Sequence, residues 1–311
     1  MRCRDVAVAI VTYRRPRELV RLFEGLKELK IPDGGKISRI VVVDNDAVPS
    51  AEDICRRQAA ELPWPIDYLS HPKKGIASAR NRAVDAARSR GAELVAMIDD
   101  DEKPAPTWLA ELLAAMERYQ ADVVQGKIVP EFEVPPPRWI LAGGFFERRA
   151  GLIDRRGWKT GTPLRMASSG NILMKASVFE KVGGFDPFFD LLGGEDSCFF
   201  GQAARLGFKM VYCDEAVVSE LTPSSRARMG WLLRRAFRTG TTVALIRLRT
   251  NPSLLGRLFI FIEGAGLILA AMIGAPLAVL GRAPLAHVLR LALKGCGRIY
   301  GSLGGAYAEY A

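Results

Sequence analysis

The 311-residue sequence is short of the residues that build most metal and redox sites. It has two histidines, His71 and His287, too far apart for a zinc site built on His/Cys spacing. Its five cysteines (Cys3, Cys55, Cys198, Cys213, Cys296) are odd in number and none stands in a CxxC pair. A reduced, cytosolic setting therefore fits better than a disulfide framework. No GxGxxG follows the first apolar run and no GxxxxGK[ST] occurs, so the two commonest glycine-rich phosphate cradles are missing. The run from Val6 to Val11 is too short for a secretory h-region and leads into the basic "TYRRP", so no secretory signal is expected.

Acids are nearly missing from one region. Residues 221–311 hold twelve Lys/Arg but only two acids, Glu263 and Glu309. Taken from the totals of 44 and 34, this leaves thirty-two basic and thirty-two acidic residues in 1–220. The formal charge of +10 thus belongs to the last part of the chain, which predicts a separate role for it beside an anionic surface. Its arginines are interleaved with long aliphatic runs, unlike a solvated nucleic-acid patch, and no nucleic acid is expected as partner.

What is present is an alternation of apolar strands and amphipathic helices. "VAVAIVT" (6–12), "IVVVD" (40–44), "IDYL" (66–69) and "ELVAMID" (93–99) read as strands buried on both faces. Between them, "RPRELVRLFEGLKEL" places Leu19, Leu22, Phe23, Leu26 and Leu29 on one helical face. Ser50 with Asp53 suits a capping box, a helix is expected from about Ile76 to Arg90, and "TWLAELLAAMERY" makes another. This order predicts an α/β fold, a mainly parallel sheet flanked by helices, with ligands at the carboxyl ends of the strands. Residues 127–165 read as an irregular, loop-rich insertion and a mobile flap, 167–179 contain a strand, and a helix runs from about Glu195 to Leu206, stopped by Gly207.

Polar groups gather at those strand ends: Thr12, Tyr13 and Arg14 after the first, Asp44 to Asp46 after the second, Asp99, Asp100 and Asp101 after the fourth. Clustered carboxylates are tolerable where a hard divalent cation offsets their repulsion, and such a cation can bridge to phosphate. On an extended segment, Asp99 and Asp101 would face one way and Asp100 the other.

The motifs "VAIVTYRRP", "VVVDND", "KKGIASARN", "IDDDE", "SSGNILM", "GGFD" and "GGEDSCFF" occur in an order and spacing that resembles family 2 of the inverting glycosyltransferases, with the GT-A fold. The resemblance covers roughly residues 6–215, and the "DNDAVPSA", "IDDDE" and "GGED" versions are most similar to the bacterial exopolysaccharide branch typified by succinoglycan-biosynthesis glucosyltransferases. It implies a GT-A domain over 1–220 and a nucleoside-diphosphate sugar, a UDP-sugar, as donor. The acceptor would be a saccharide or a lipid-linked saccharide. Thr12, Tyr13 and Arg14 would line the nucleotide pocket, with Asp44 accepting a hydrogen bond from the base ring and Arg80 facing base and ribose. Asp99 would lie near ribose and metal, Asp101 would bind Mg2+ or Mn2+ directly, and Asp100 is the less defined member of the run. Asp196 matches the catalytic base, with Glu195 its neighbour; an isolated ED pair would more often just decorate a helix start. Many family members place a metal-assisting histidine after the last core strand, but here that stretch is "AVVSELTPSSR". Glu220 serves instead, or the ion is held by Asp101, phosphates and water. A sugar nucleotidyltransferase shares the fold type but should show a glycine-rich loop where "TYRRPREL" stands. A non-catalytic, glycan-binding membrane scaffold would not need intact DxD and ED motifs.

Residues 258–280 form a 23-residue apolar stretch interrupted only by Glu263, long enough to span a bilayer. Basic residues flank it on both sides, which a single span would place on opposite faces against the positive-inside tendency. The expectation for 221–311 is therefore a peripheral, monotopic or re-entrant helical element at the cytoplasmic face of the inner membrane, with "WLLRRAF" (231–237) against an anionic leaflet. The alternative is a buried helix of a soluble core.

Overall fold

The computed structural model describes residues 4–32, 35–146 and 158–308. The chain divides into two compact units, the first comprising 1–130, 148–190 and 195–221, the second 131–147, 191–194 and 222–311.

The first unit is built on an eight-stranded sheet. β1 (Arg4–Thr12), β2 (Gly35–Asp44), β3 (Ile66–Ser70) and β4 (Leu94–Met97) are joined through α1 (Pro16–Lys27), α2 (Glu52–Ala59) and α3 (Ile76–Ser89). Then come, in chain order, β5 (Glu102–Pro104), α4 (Trp108–Arg118), β6 (Val123–Phe132), α5 (Arg138–Gly143, which belongs to the second unit), β7 (Ile172–Lys175), α6 (Ala176–Val182), α7 (Glu195–Arg205) and β8 (Met210–Thr222). The spatial order is β3-β2-β1-β4-β7-β6-β8-β5. The β3-β2-β1-β4 half is parallel, as the alternation predicts, whereas β4–β7, β7–β6 and β8–β5 pair antiparallel, so the sheet is mixed.

Side-chain alternation along β1 separates two cores. Val6, Val8 and Ile10 pack with Leu19, Leu22, Phe23 and Leu26 of α1 and with α4. Ala7 and Ala9 face α3, whose Ala77, Ala79, Ala83 and Ala87 let the helix lie close to the strands. Each fully buried Leu, Ile, Val or Phe here contributes about 1.5–3 kcal/mol.

Two expectations are corrected. Residues 127–132 are not irregular: they continue β6, and 138–143 form α5, while 147–157 of the expected flap lie outside the described residues. The capping box at Ser50 and Asp53 does not form. α2 starts after Ala51 with no cap from its own side chains, Asp53 is turned to Arg56 (3.1 Å), and the N–H groups of Ser50 and Ala51 donate to Asp44 from β2 (2.7 and 2.8 Å).

The second unit contains α5 and three long helices, α8 (Met229–Thr250), α9 (Leu254–Gly274) and α10 (Arg282–Ser302), with a 3-10 turn at Ala275–Leu280. α10 packs along both α8 and α9. Among the described residues, Leu254–Leu280 is the one helical segment long and apolar enough to cross a membrane. Few of its side chains are covered: Leu254 is 85%, Met272 67% and Val279 87% exposed.

Candidate active site

The parallel strands deliver their carboxyl ends to one edge of the first unit. At the end of β1, the Thr12 hydroxyl donates to Asp100 (2.9 Å). Arg15, which precedes α1, donates through Nη1 to Asp100 (2.7 Å) and to Asp101 (2.9 Å). Asp100 is therefore a buried anchor with two partners, and Thr12 is engaged in holding it. Tyr13 is half-buried, with the Arg14 guanidinium and the Lys74 ammonium 5.2 and 5.1 Å from its ring centroid. Arg14, in the left-handed region at φ 55°, donates to Asp46 (2.8 Å) and holds that carboxyl below the usual range.

The expected alternation of the three aspartates is corrected. The Glu102 N–H donates to the Asp99 carbonyl (3.1 Å), so 99–102 close a turn instead of running extended. Asp100 and Asp101 consequently share Arg15, and Asp99 looks elsewhere. It accepts from Arg80 of α3 (3.0 Å), and its own N–H donates to Glu102 (3.1 Å). Burial, reinforced by Asp100, Asp99 and Glu220, outweighs Arg15 and pushes the Asp101 carboxyl up to about 7.

Arg80 is buried and also donates to Glu195, so one guanidinium joins the acid turn to the start of α7. Glu195 is buried, with Oε2 unpartnered among the described residues, and burial raises its carboxyl to about 7 although Arg80 pulls it down. Asp196, half-buried, accepts from the Ser197 N–H (2.5 Å) at the helix start.

Asp44, expected to meet the base ring, has internal partners among the described residues. Its buried carboxylate accepts from Ser50 N, Ala51 N and the Tyr68 hydroxyl (3.2 Å) through Oδ2, and from Asp46 N (3.2 Å) through Oδ1. These internal donors tie the β2 end to the start of α2. Glu220, on β8, stands opposite Glu102 on β5, and the following Leu221 N–H donates to the Asp101 carbonyl (2.9 Å).

Among the described residues, no three His, Cys, Asp or Glu side chains are arranged to hold an ion, so Asp99, Asp101 and Glu220 are not a preassembled triad. The donor chemistry nevertheless fits a hard cation. Five carboxyl groups, from Asp99 to Glu102 and Glu220, crowd together, and Asp99 keeps 42% of its side chain exposed. Gly170 lies against them: a Cβ there would come within 2.9 Å of Asp99 Oδ2 and 2.8 Å of Glu102 Oε1.

The roles of three residues escaped the sequence reading. Arg15 was hidden beside Arg14 in "YRRP". Glu102 looked like one more acid of "IDDDE". Asn45 fastens β2 to the loop before α3, donating to His71 O (2.9 Å) and Lys73 O (2.8 Å) and accepting from Gly75 N (2.9 Å). Gly75 must lack a side chain, since a Cβ would strike the Asp190 carboxylate that caps α3 through Ser78 N (2.8 Å). His71 is partly buried, and that burial lowers its pKa; His287 Nε2 meets Gly143 O (3.1 Å).

Comparison with known proteins shows the family and the fold. The succinoglycan biosynthesis protein ExoM of Rhizobium meliloti (strain 1021) is 32% identical over 238 residues, which are 76% of this chain and 73% of that protein. The glucosyl-dolichyl phosphate glucuronosyltransferase of Haloferax volcanii is 30% identical over 175 residues, covering 51% of this chain and 54% of that protein. Among solved structures, S. aureus TarS 1-349 in complex with UDP has the same fold, with a TM-score of 0.53 at 15% identity, over 99% of this chain and 97% of that one. Residues 7–183 match the family described as Glycosyl transferase family 2, and the chain belongs to that family.

Proposed function

We propose that this chain transfers a sugar, with inversion, from a UDP-sugar to a hydroxyl of a saccharide or lipid-linked saccharide. The observation that carries the reading is Arg80, which binds Asp99 of the acid turn and Glu195 of the "GGED" segment on one buried guanidinium. Donor and acceptor machinery are thereby held a few bonds apart by a group that cannot lose its charge.

In this reading Asp196 takes the proton of the acceptor hydroxyl as the oxygen bonds to the anomeric carbon. The opposite bond, from that carbon to the diphosphate, breaks in line. Mg2+ or Mn2+ held by Asp99 and Asp101, with Glu220 as a further oxygen donor, would offset the charge on the departing diphosphate. Arg15 and Thr12 fix the turn that presents these acids, and Tyr13 with Arg14 borders the nucleotide. Asp44 acts by shaping the β2 end.

The reading assigns catalysis to 1–220 and membrane association to 221–311. The exposed apolar side chains of Leu254–Leu280 support a peripheral, monotopic or re-entrant placement at the cytoplasmic face, where a lipid-linked acceptor is reached. ExoM, a succinoglycan biosynthesis protein, and a glucuronosyltransferase that acts on a glucosyl-dolichyl phosphate support the acceptor class.

Asp101→Ala and Asp196→Ala should each abolish UDP release and product formation with a UDP-sugar panel and Mn2+, while thermal unfolding stays near that of the parent. Turnover close to normal in either variant removes the role given to that residue.

A further inference from the structure

α10 carries more positive charge than its neighbours neutralise. Arg290, Lys294 and Arg298 recur every fourth residue and share one face of the helix. Arg298 has a partner: it donates to Glu263 of α9 (2.9 Å), which also accepts from Arg247 of α8 (2.6 Å). Among the described residues, no carboxylate pairs with Arg290 or Lys294. The Arg290 guanidinium lies 5.0 Å from the Phe145 ring centroid, and its Nε is buried without a hydrogen-bond partner. Lys294 sits where α8 crosses α10, its carbonyl against Gly240. Burial, with Arg290, Arg298 and Arg235 nearby, lowers its pKa. Arg235 of α8 lies 5.0 Å over Trp231, which stacks on Phe146 at 5.9 Å.

A helix interface selected for stability alone would not place the half-buried Arg290 and Lys294 without a counter-ion among the described residues, because apolar side chains of similar size avoid the desolvation cost. Converging arginine and lysine donors beside aromatic rings suit an oxyanion, and phosphate above all. The same helical unit exposes the apolar side of α9, so an anion reaching it from a bilayer would carry an acyl or prenyl tail.

We propose that Arg290, Lys294 and Arg235 form a binding site for the phosphate group of an anionic membrane lipid, with Phe145 and Trp231 as its apolar wall. The site rests on the reading that this unit is membrane-associated, and adds to it a defined headgroup contact.

Flotation of the full chain with vesicles tests it. Phosphatidylcholine vesicles report the apolar anchor, and vesicles that also contain phosphatidylglycerol report the phosphate site. Wild type should bind both, and more tightly with phosphatidylglycerol. Arg290→Gln/Lys294→Gln should bind phosphatidylcholine as wild type does and lose most of the anionic gain, about 25-fold for two cations. Arg234→Gln/Arg282→Gln removes the same charge from exposed positions and should lose at least about fivefold less. Equal losses in the two double variants would reduce the effect to diffuse attraction and overturn the site. Wild type that floats with neither vesicle overturns the membrane reading and the site together. Release of wild type from anionic vesicles by millimolar inorganic phosphate makes the ligand a free anion and overturns the lipid assignment. In detergent, Arg290→Gln/Lys294→Gln should melt no lower than wild type, since neither cation has an acidic partner among the described residues; a clearly lowered Tm assigns them to packing and also overturns the proposal.

Discussion

Arg15 holds Asp100 through a 2.7 Å bond from Nη1, and the same nitrogen reaches Asp101 at 2.9 Å. The guanidinium therefore balances a buried carboxylate that, among the described residues, also accepts from the Thr12 hydroxyl. Removing one member of a buried pair leaves the other charge uncompensated, which costs more than the pair contributes. Arg15→Ala should destabilise the first unit by about 1–3 kcal/mol, reduced from the fully buried case because 37% of the Arg15 side chain is exposed. Arg15→Ala/Asp100→Asn should recover most of that loss. A thermal unfolding series of the parent, both single variants and the double variant measures the coupling, and strict additivity would show that the pair is not the linchpin of the turn.

Glu195 gives the protein a pH dependence of defined sign. Burial raises its carboxyl from 4.5 to about 7, with Arg80 acting in the opposite direction. Between those values the folded chain holds a proton that the unfolded chain has released, so this group's contribution to stability falls as pH rises. Glu195→Gln cannot titrate and should lack that slope. Melting temperatures at closely spaced pH values from 4.5 to 7 should shift steadily in favour of Glu195→Gln relative to the parent. A shift in the other direction would mean that Glu195 stays ionised against Arg80 throughout.

The parts of this architecture that local pattern controls were legible in the sequence. Continuous apolar runs marked β1, β2 and β4, helical spacing marked α1 and α4, and the acids of "IDDDE" and "GGED" stood out at element ends. The unread parts depend on contacts distant in sequence. Nothing near Ser50 announces that α2 is capped by Asp44 from the preceding strand. Alternation along 99–101 presumed an extended chain, and one bond from Glu102 N to Asp99 O turned it. β6 was concealed by Pro130, which weakens any strand pattern, yet the strand tolerates it beyond its pairing with β7 at Val123–Gln125. Arg15 and Arg14 were indistinguishable as letters, and the left-handed backbone at Arg14 sends one to Asp46 and the next to Asp100.

In the second unit, α9 and α10 meet backbone to backbone. A Cβ on Gly264 would lie 2.8 Å from the Gly295 carbonyl oxygen, and a Cβ on Gly295 would lie 2.5 Å from that of Gly264. Neither obstacle is the movable end of a side chain, so the helices themselves must separate to admit a larger residue. Gly295→Leu should cost about 1–3 kcal/mol, the usual range for overpacking, and toward its upper end because backbone is what must move. Spreading the pair also breaks the bond from Arg298 to Glu263, leaving the one acid of α9 to Arg247. Limited proteolysis in detergent should then cut the Leu254–Ser302 region of Gly295→Leu faster than the parent while fragments of the first unit resist equally. Equal cleavage rates in both regions would show that α9 and α10 do not depend on this close approach.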